Sequence, residues 1–551
     1  MKANPSASPN AALVLSPSNT GRPLRSLLLA ALALLFLAAG ALVLMPLLTY
    51  PFGRDHGVFA CVADIVAGGG VPYRDAWEMK PPGIFYLFWA SFALFGRSMA
   101  SPRLLDLLWT LTTAVAIWHL GRRVLSPWAG VAGAFFFLVR YVAGITFWNT
   151  TQCEGFTSLP LTLAAIALVA AEQRRNHWLA AMCGALVALA MILKFTLGIF
   201  LLLPCVAVLA AQGDTVRTRL ARGGSYLLGC AALLAALAGV MAWAGALNDM
   251  FEILFLWNAK YASLHPPGSN FGRELASFLV GGRQQLLFPI GLLALAGAAD
   301  LTLRPQAGRI RWLLPIWALS MAAAVWIQGK YYTYHWLPLL PPMGILAAQG
   351  LRAAWFLLQR SARARIALAW YVAGVVVLFA ILGLAYWRSL QVPVRYALGN
   401  VPRSDFMRGF ERPAGLGRFS LRANEEVAQF LRRRTAIDAP IFVWGFEPLI
   451  YHLAERAPAS RFIYSVPLAT EWSPDEWRSE LIRDLEQTPP AYIVVAHNDL
   501  FPWMTGRWDD SAAQLASFPD LEQLLRRDYR RAKRIEDFNV WERRNEAQSD
   551  R

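Results

Sequence analysis

The chain has 551 residues and a formal net charge of +16, yet only 16% of its residues are charged and 56% are hydrophobic. A soluble domain carries about 25% charged residues, so a wholly soluble protein is excluded. The positive charge is mostly arginine in short segments between apolar runs, which marks cytoplasmic loops and not a nucleic-acid surface.

Residues 1–25, rich in Pro, Ser and Asn, read as a disordered cytoplasmic tail. Arg22 and Arg25 then precede an apolar run over 26–49. It is too long for a signal-peptide core and lacks a small-residue cleavage site, so it reads as a retained first helix. Further apolar runs lie at 83–96, 103–120, 128–148, 155–172, 178–193, 195–212, 224–246, 286–303, 312–329, 336–358 and 366–386. Between them sit Arg122-Arg123, Arg174-Arg175, Arg217 to Arg222, Arg304 to Arg311 and Arg360 to Arg365.

The run 83–96 opens on Pro81-Pro82-Gly83 and falls short of the ~20 residues that a span needs. If it stays on one face, every arginine cluster joins the N-terminus in the cytoplasm. The expectation is a polytopic α-helical membrane module over 26–386 with about eleven spans, by that loop-charge rule. Loops 50–102, 149–155, 247–285 and 330–335 then share the outer face.

Residues 387–551 change character. An amphipathic stretch at 424–434 precedes a strand at 441–444 and a helix at 448–456. A second strand at 462–466, a helix starting near Ser473-Pro474-Asp475, a strand at 491–496 and a last strand at 538–543 follow. The alternation implies a small extracytoplasmic α/β domain with a mostly parallel sheet. No Gly-x-Gly-x-x-Gly follows the first strand, so nucleotide binding has no support.

The polar residues of the outer loops carry the chemistry. Asp55 follows the first run, beside Arg54 and His56, and a carboxylate there suits a general base for a hydroxyl acceptor. Lys80 precedes Pro81-Pro82-Gly83, which fixes the chain direction, and its ammonium suits a lipid phosphate; snorkelling is the bland alternative. Arg74 and Asp75 belong to the same loop. Glu154 sits in a brief polar break and Lys194 in a tight outer turn. Lys330, Tyr334 and His335 join a cation, a phenol and an imidazole at another outer boundary, within reach of a sugar or phosphate. The cysteines, Cys61, Cys153, Cys183, Cys205 and Cys230, form no metal-ligand spacing, so no metal or other cofactor is indicated.

The first loop reads Asp55-His-Gly57, Gly70-Val-Pro-Tyr73-Arg-Asp75-Ala-Trp77 and Lys80-Pro-Pro-Gly83. This pattern resembles the GT-C superfamily of polytopic glycosyltransferases. The likeness is to its bacterial branch, related to protein O-mannosyltransferases, aminoarabinose transferases and rhizobial lipopolysaccharide galacturonosyltransferases. The resemblance implies an inverting sugar transfer from a polyprenyl-phosphate donor to a lipid, glycan or protein of the cell envelope, at the outer face of a bacterial inner membrane. Asp55 takes the base role on that reading, and many relatives have an Asp-Glu pair where this chain has Asp55-His56. A flippase of lipid-linked sugars and a non-catalytic envelope assembly protein are the rival readings. The first predicts paired repeats, and none is visible.

Overall fold

The computed structural model describes residues 37–144, 146–209, 214–264, 270–286, 289–303, 312–360, 391–412 and 415–544, with isolated positions at 35 and between 366 and 384. The N-terminal tail, the arginines at 304–311 and most of the run at 366–386 lie outside the described residues. Residues 1–44 form a unit of their own, helical over 37–44. Residues Met45–Arg551 form the second unit, which holds the membrane module and the C-terminal domain.

Helix α1 (Arg54–Ala67) follows a glycine N-cap. Helix α2 (Gly83–Phe95) has 13 residues, so it is about 20 Å long at 1.5 Å per residue, short of a ~30 Å hydrocarbon core. The run at 83–96 therefore has the length of a helix that does not cross. Three described helices are long and apolar enough to span a bilayer: α3 (Ala100–Val124), α5 (Cys153–Arg174) and α7 (Val216–Trp243). Between them lie the shorter apolar helices α4 (Pro127–Ala143) and α6 (His177–Leu193). Further on come α8 (Pro289–Leu303), α9 (Leu313–Ile327) and α10 (Leu340–Arg360).

The turns after the arginine clusters are capped in the usual way. Ser126 accepts from the Ala129 N–H, with Pro127 at the first helical position, and Asn176 accepts from the Leu179 N–H. Neighbouring helices pack through small residues, as bilayer-embedded helices must when lipid is as apolar as leucine. Where α8 meets α10, a Cβ on Gly297 would lie 1.9 Å from the Leu346 carbonyl oxygen, so only glycine permits this approach.

The bundle also carries charge. In α3, Arg103 is fully buried and forks onto the Thr150, Pro51 and Phe147 carbonyls and the Thr150 and Thr151 hydroxyls. One turn on, Asp106 accepts from Tyr141 Oη at 2.9 Å and the Thr151 N–H at 2.8 Å. These bonds fix the turn at 147–151 against the end of the bundle.

The C-terminal domain contains α11 (Leu421–Arg434), β1 (Ile441–Trp444), α12 (Leu449–Ala454), α13 (Asp475–Gln487), β2 (Tyr492–Ala496), β3 (Tyr529–Ile535) and β4 (Phe538–Arg543). The sheet order is β1-β2-β4-β3, and only β1 and β2 run parallel. This corrects the expected mostly parallel sheet. The segment 462–466 is not a strand: Ser465 N–H bonds to Gly445 O, and the chain turns directly into a short helix at Val466–Ala469. The missed strand β3 has a charged sequence, Tyr-Arg-Arg-Ala-Lys-Arg-Ile, because it is an edge whose basic side chains face water and discourage further pairing.

The domain rests on α1 and the loop that follows it. Against α12, a Cβ on Gly57 would stand 2.7 Å from Leu449 Cβ and 2.9 Å from its Cα, so this contact also demands glycine. The Trp77 N–H donates to Arg461 O at 2.7 Å. The expected class, a helical membrane module with a small C-terminal α/β domain, describes the architecture found.

Candidate active site

A cavity of about 730 Å³ opens between the start of α1 and the loop that follows it, the turns at 194–196 and 327–335, and the C-terminal domain. Arg54, Lys80, Lys194, Lys330 and Arg412 line it, against Asp55 and Glu78. The surplus of cations suits an anionic ligand. Phe195, Leu254 and Phe255 supply apolar wall at the same cavity.

Asp55 lies in the first turn of α1, where a carboxylate is favoured by the exposed N–H groups of the helix start. Three donors approach its Oδ2: Lys80 Nζ at 3.4 Å, Gln152 Nε2 at 3.4 Å and Tyr334 Oη at 3.5 Å. All three contacts are loose, and none touches Oδ1. Loose geometry of this kind is usual for a site without its substrate.

Lys80 is held by its own backbone. Its N–H donates to Glu78 Oε1 at 3.2 Å and its carbonyl accepts from Tyr73 Oη at 2.9 Å. Burial would pull its ammonium down, but Asp55 and Glu78 outweigh that and hold it above the usual lysine range. Its Nζ stands 4.7 Å from the Phe59 ring centroid. Burial raises the Glu78 carboxyl against the pull of Lys80, and Tyr464 Oη donates to its Oε2 at 2.8 Å.

His56 is locked in one form. Its Nδ1 accepts from the Gly53 N–H at 3.2 Å and its Nε2–H donates to Thr150 O at 2.8 Å. Both nitrogens are thus committed to a neutral ring, and burial with nearby Arg103 lowers its pKa far below the usual value. His56 therefore ties α1 to the turn at 147–151 and offers no second acid beside Asp55.

Glu154 pairs with Lys194 at 2.9 Å at the start of α5. Its side chain is 2% exposed and is not part of the cavity wall; it orients Lys194, which is. His335 donates from Nδ1 to Lys330 O at 2.6 Å, and burial, with Lys194, lowers its pKa to about 3. Its bare Nε2 lies 3.6 Å from Glu154 Oε1, a contact without a hydrogen bond. Lys330 lines the cavity but gives its ammonium to Leu264 O at 2.8 Å and to the Tyr261 face, and burial lowers its pKa.

Arg74 and Asp75, expected beside the substrate with the rest of their loop, stand apart from the cavity. They pair with each other at 2.7 Å and line no part of the cavity. Asp75 Oδ2 accepts the Val71 N–H at 2.7 Å and Arg74 Nη1 reaches Ala244 O at 2.7 Å, so they shape the loop. Reading the sequence missed Glu78, Gln152, Arg54 and Arg103. Arg103 had a signal, a charge at the head of an apolar run with Asp106 one turn on, and charges so placed usually have a buried partner. Among the described residues, no group of three His, Cys, Asp or Glu converges as a metal site.

The two buried neutral histidines make stability depend on pH. Each folded pKa lies below the unfolded value near 6.5, so the unfolded chain binds more protons in acid. Stability falls as the pH drops below ~6.5, by up to about 1.4 kcal/mol per pH unit and group, and for His335 this continues towards about 3. Wild type is expected to lose more melting temperature than His335→Gln between pH 7.5 and pH 5, by scanning fluorimetry in detergent. Parallel losses would contradict the buried neutral state.

Residues 79–243 match a protein family described as dolichyl-phosphate-mannose-protein mannosyltransferase. ArnT from Cupriavidus metallidurans bound to undecaprenyl phosphate superposes with a TM-score of 0.56 at 15% identity, over 92% of this chain and 97% of that one. This chain has the GT-C fold. ArnT in the apo state gives 0.55 at 15% identity, over 93% and 98% of the two chains. AglB from Archaeoglobus fulgidus, in complex with an inhibitory peptide and a dolichol-phosphate, overlaps less closely, at 0.49 and 13% identity over 84% and 69%. No curated protein sequence matches the chain. The GT-C resemblance drawn from the first loop agrees with both the family match and the fold.

Proposed function

We propose that the protein is an integral-membrane glycosyltransferase that moves a sugar, with inversion, from a polyprenyl-phosphate donor to a hydroxyl of a cell-envelope lipid, glycan or protein. The observation that carries this reading is the pair Asp55 and Lys80, 3.4 Å apart in a cation-lined cavity. A base and a phosphate-binding cation must line one cavity if one bond forms as the other breaks on the opposite face of the sugar, so the pair parts when donor and acceptor enter between them. ArnT, whose fold this chain shares, has been seen with undecaprenyl phosphate, which supports a lipid phosphate as the donor's anchor.

On this reading the donor enters from the membrane side, and Lys80 and Lys194 hold its phosphate. Asp55 takes the proton from the acceptor hydroxyl as that oxygen attacks the anomeric carbon. The sugar–phosphate bond breaks on the opposite face, and the polyprenyl phosphate leaves with its new charge facing Lys80. Fixed charges need no reorganisation as the leaving group gains charge, and holding both substrates in line supplies much of the rate. The site and the C-terminal domain stand on the outer face of the bacterial inner membrane.

Mass spectrometry of envelope glycans tests the function. Deleting the gene should remove one sugar from a defined species, and restoring the wild-type gene should return it. Identical glycans in both strains would contradict the proposal.

A further inference from the structure

Arg54 stands next to Asp55 at the first position of α1, where a cation is disfavoured by the positive end of the helix. At the edge of the cavity, its side chain nevertheless spends its donors on the C-terminal domain and not on the cavity's contents. Nε and Nη2 donate to Glu447 Oε1 at 2.9 and 2.5 Å. Nη1 donates to Gly417 O at 2.9 Å, Nη2 to Arg418 O, and Nε also to Phe446 O at 3.1 Å. The guanidinium lies 5.2 Å from the Phe419 ring centroid and 4.7 Å from that of Phe501.

The pair is buried, with side-chain exposures of 6% for Arg54 and 3% for Glu447. Burial pushes the Glu447 carboxyl up to about 7 even against Arg54, and Asn424 donates to its other oxygen at 3.1 Å. Replacing a buried ion pair with apolar residues is often neutral or stabilising, so stability alone does not explain a charged clamp here. Its place does: the residue after Arg54 is the carboxylate that faces the cavity. The same domain reaches the other reacting group through Tyr464, which holds Glu78, which in turn holds the Lys80 backbone.

We infer that Arg54 is a positioning residue through which the C-terminal domain sets the first turn of α1 and so aims the Asp55 carboxylate at the acceptor. This rests on Asp55 being the base. The soluble domain is then a part of the catalytic centre, and not an appended module. Misplacing a reacting group by about 1 Å costs on the order of a hundredfold in rate, and that sets the scale of the expected effect.

The test is the double variant Arg54→Met/Glu447→Leu in the full-length protein, assayed with the undecaprenyl-phosphate-linked sugar that the glycan analysis identifies. It should melt close to wild type, retain undecaprenyl phosphate by native mass spectrometry and keep its donor KM. Its kcat should fall roughly ten- to a hundredfold. Glu447→Gln, which keeps an acceptor oxygen for Arg54, should lose less kcat with the same unmoved KM, and it serves if the double variant does not fold. Wild-type kcat in folded variants would overturn the inference, provided that Asp55→Asn is inactive. An active Asp55→Asn would instead remove the base assignment on which it rests.

Discussion

Asp55→Asn is expected to cut transfer by roughly 10²–10⁴-fold while the protein still inserts and folds. The substitution keeps the size of the side chain and an oxygen that can accept from Gln152 and Tyr334, whose contacts at 3.4 and 3.5 Å are loose. It removes the group that can take a proton. Losing the carboxylate from the start of α1 costs only about 0.3–1 kcal/mol of helix stabilisation, far too little to unfold the site. Kinetics of the purified variant decide the matter: near-normal turnover at unchanged melting temperature would take Asp55 out of the base role.

Lys80→Met should produce the second large loss. The methionine keeps much of the length of the apolar stem and deletes the charge that stands over the Phe59 ring. Lys80 is held protonated by Asp55 and Glu78, so the wild-type site presents a full positive charge throughout the physiological range. If that charge holds the phosphate equally in ground and transition states, donor KM rises and kcat stays. If it chiefly meets the charge that grows on the leaving phosphate, kcat falls. We expect the second pattern, with a loss on the order of 10²–10³-fold, the scale of removing one preorganised donor to a developing anion. Lys80→Arg should recover part of the rate, limited by its larger planar head. A lysine that only snorkels predicts unchanged donor kinetics, and that result would remove Lys80 from the site.

These two residues were legible in the sequence because both sit in one short loop with a recognisable pattern, Asp55-His-Gly57 and Lys80-Pro-Pro-Gly83. Their supports were not. Glu447, Tyr464 and Arg461 lie nearly four hundred positions from Arg54, Glu78 and Trp77, and no local pattern reveals such pairings. Adjacency in sequence also does not reveal that Arg74 and Asp75 pair with each other, apart from the cavity. Glu154 was found by its place in a polar break, but a residue that orients Lys194 from behind looks the same in sequence as one that meets substrate.

The same limits applied to the fold. Apolar runs and arginine placement gave the helical module, because burial in lipid requires backbone bonds within each segment. The C-terminal sheet was partly missed, since β3 hides its strand character under edge charges and 462–466 is a buried segment without ladder bonds. His56 shows the finest grain. Its neutral tautomer follows from two backbone partners that only the folded loops bring together.

The central claim is that one cavity holds a lipid phosphate beside Lys80 and faces it with Asp55. A structure of the purified protein with undecaprenyl phosphate bound measures this directly. The account predicts the phosphate at hydrogen-bond distance from Lys80 Nζ, about 2.7–3.2 Å, with the polyprenyl chain leaving toward Phe195 and Phe255. A phosphate held elsewhere, with Asp55 and Lys80 still paired and untouched, would contradict it.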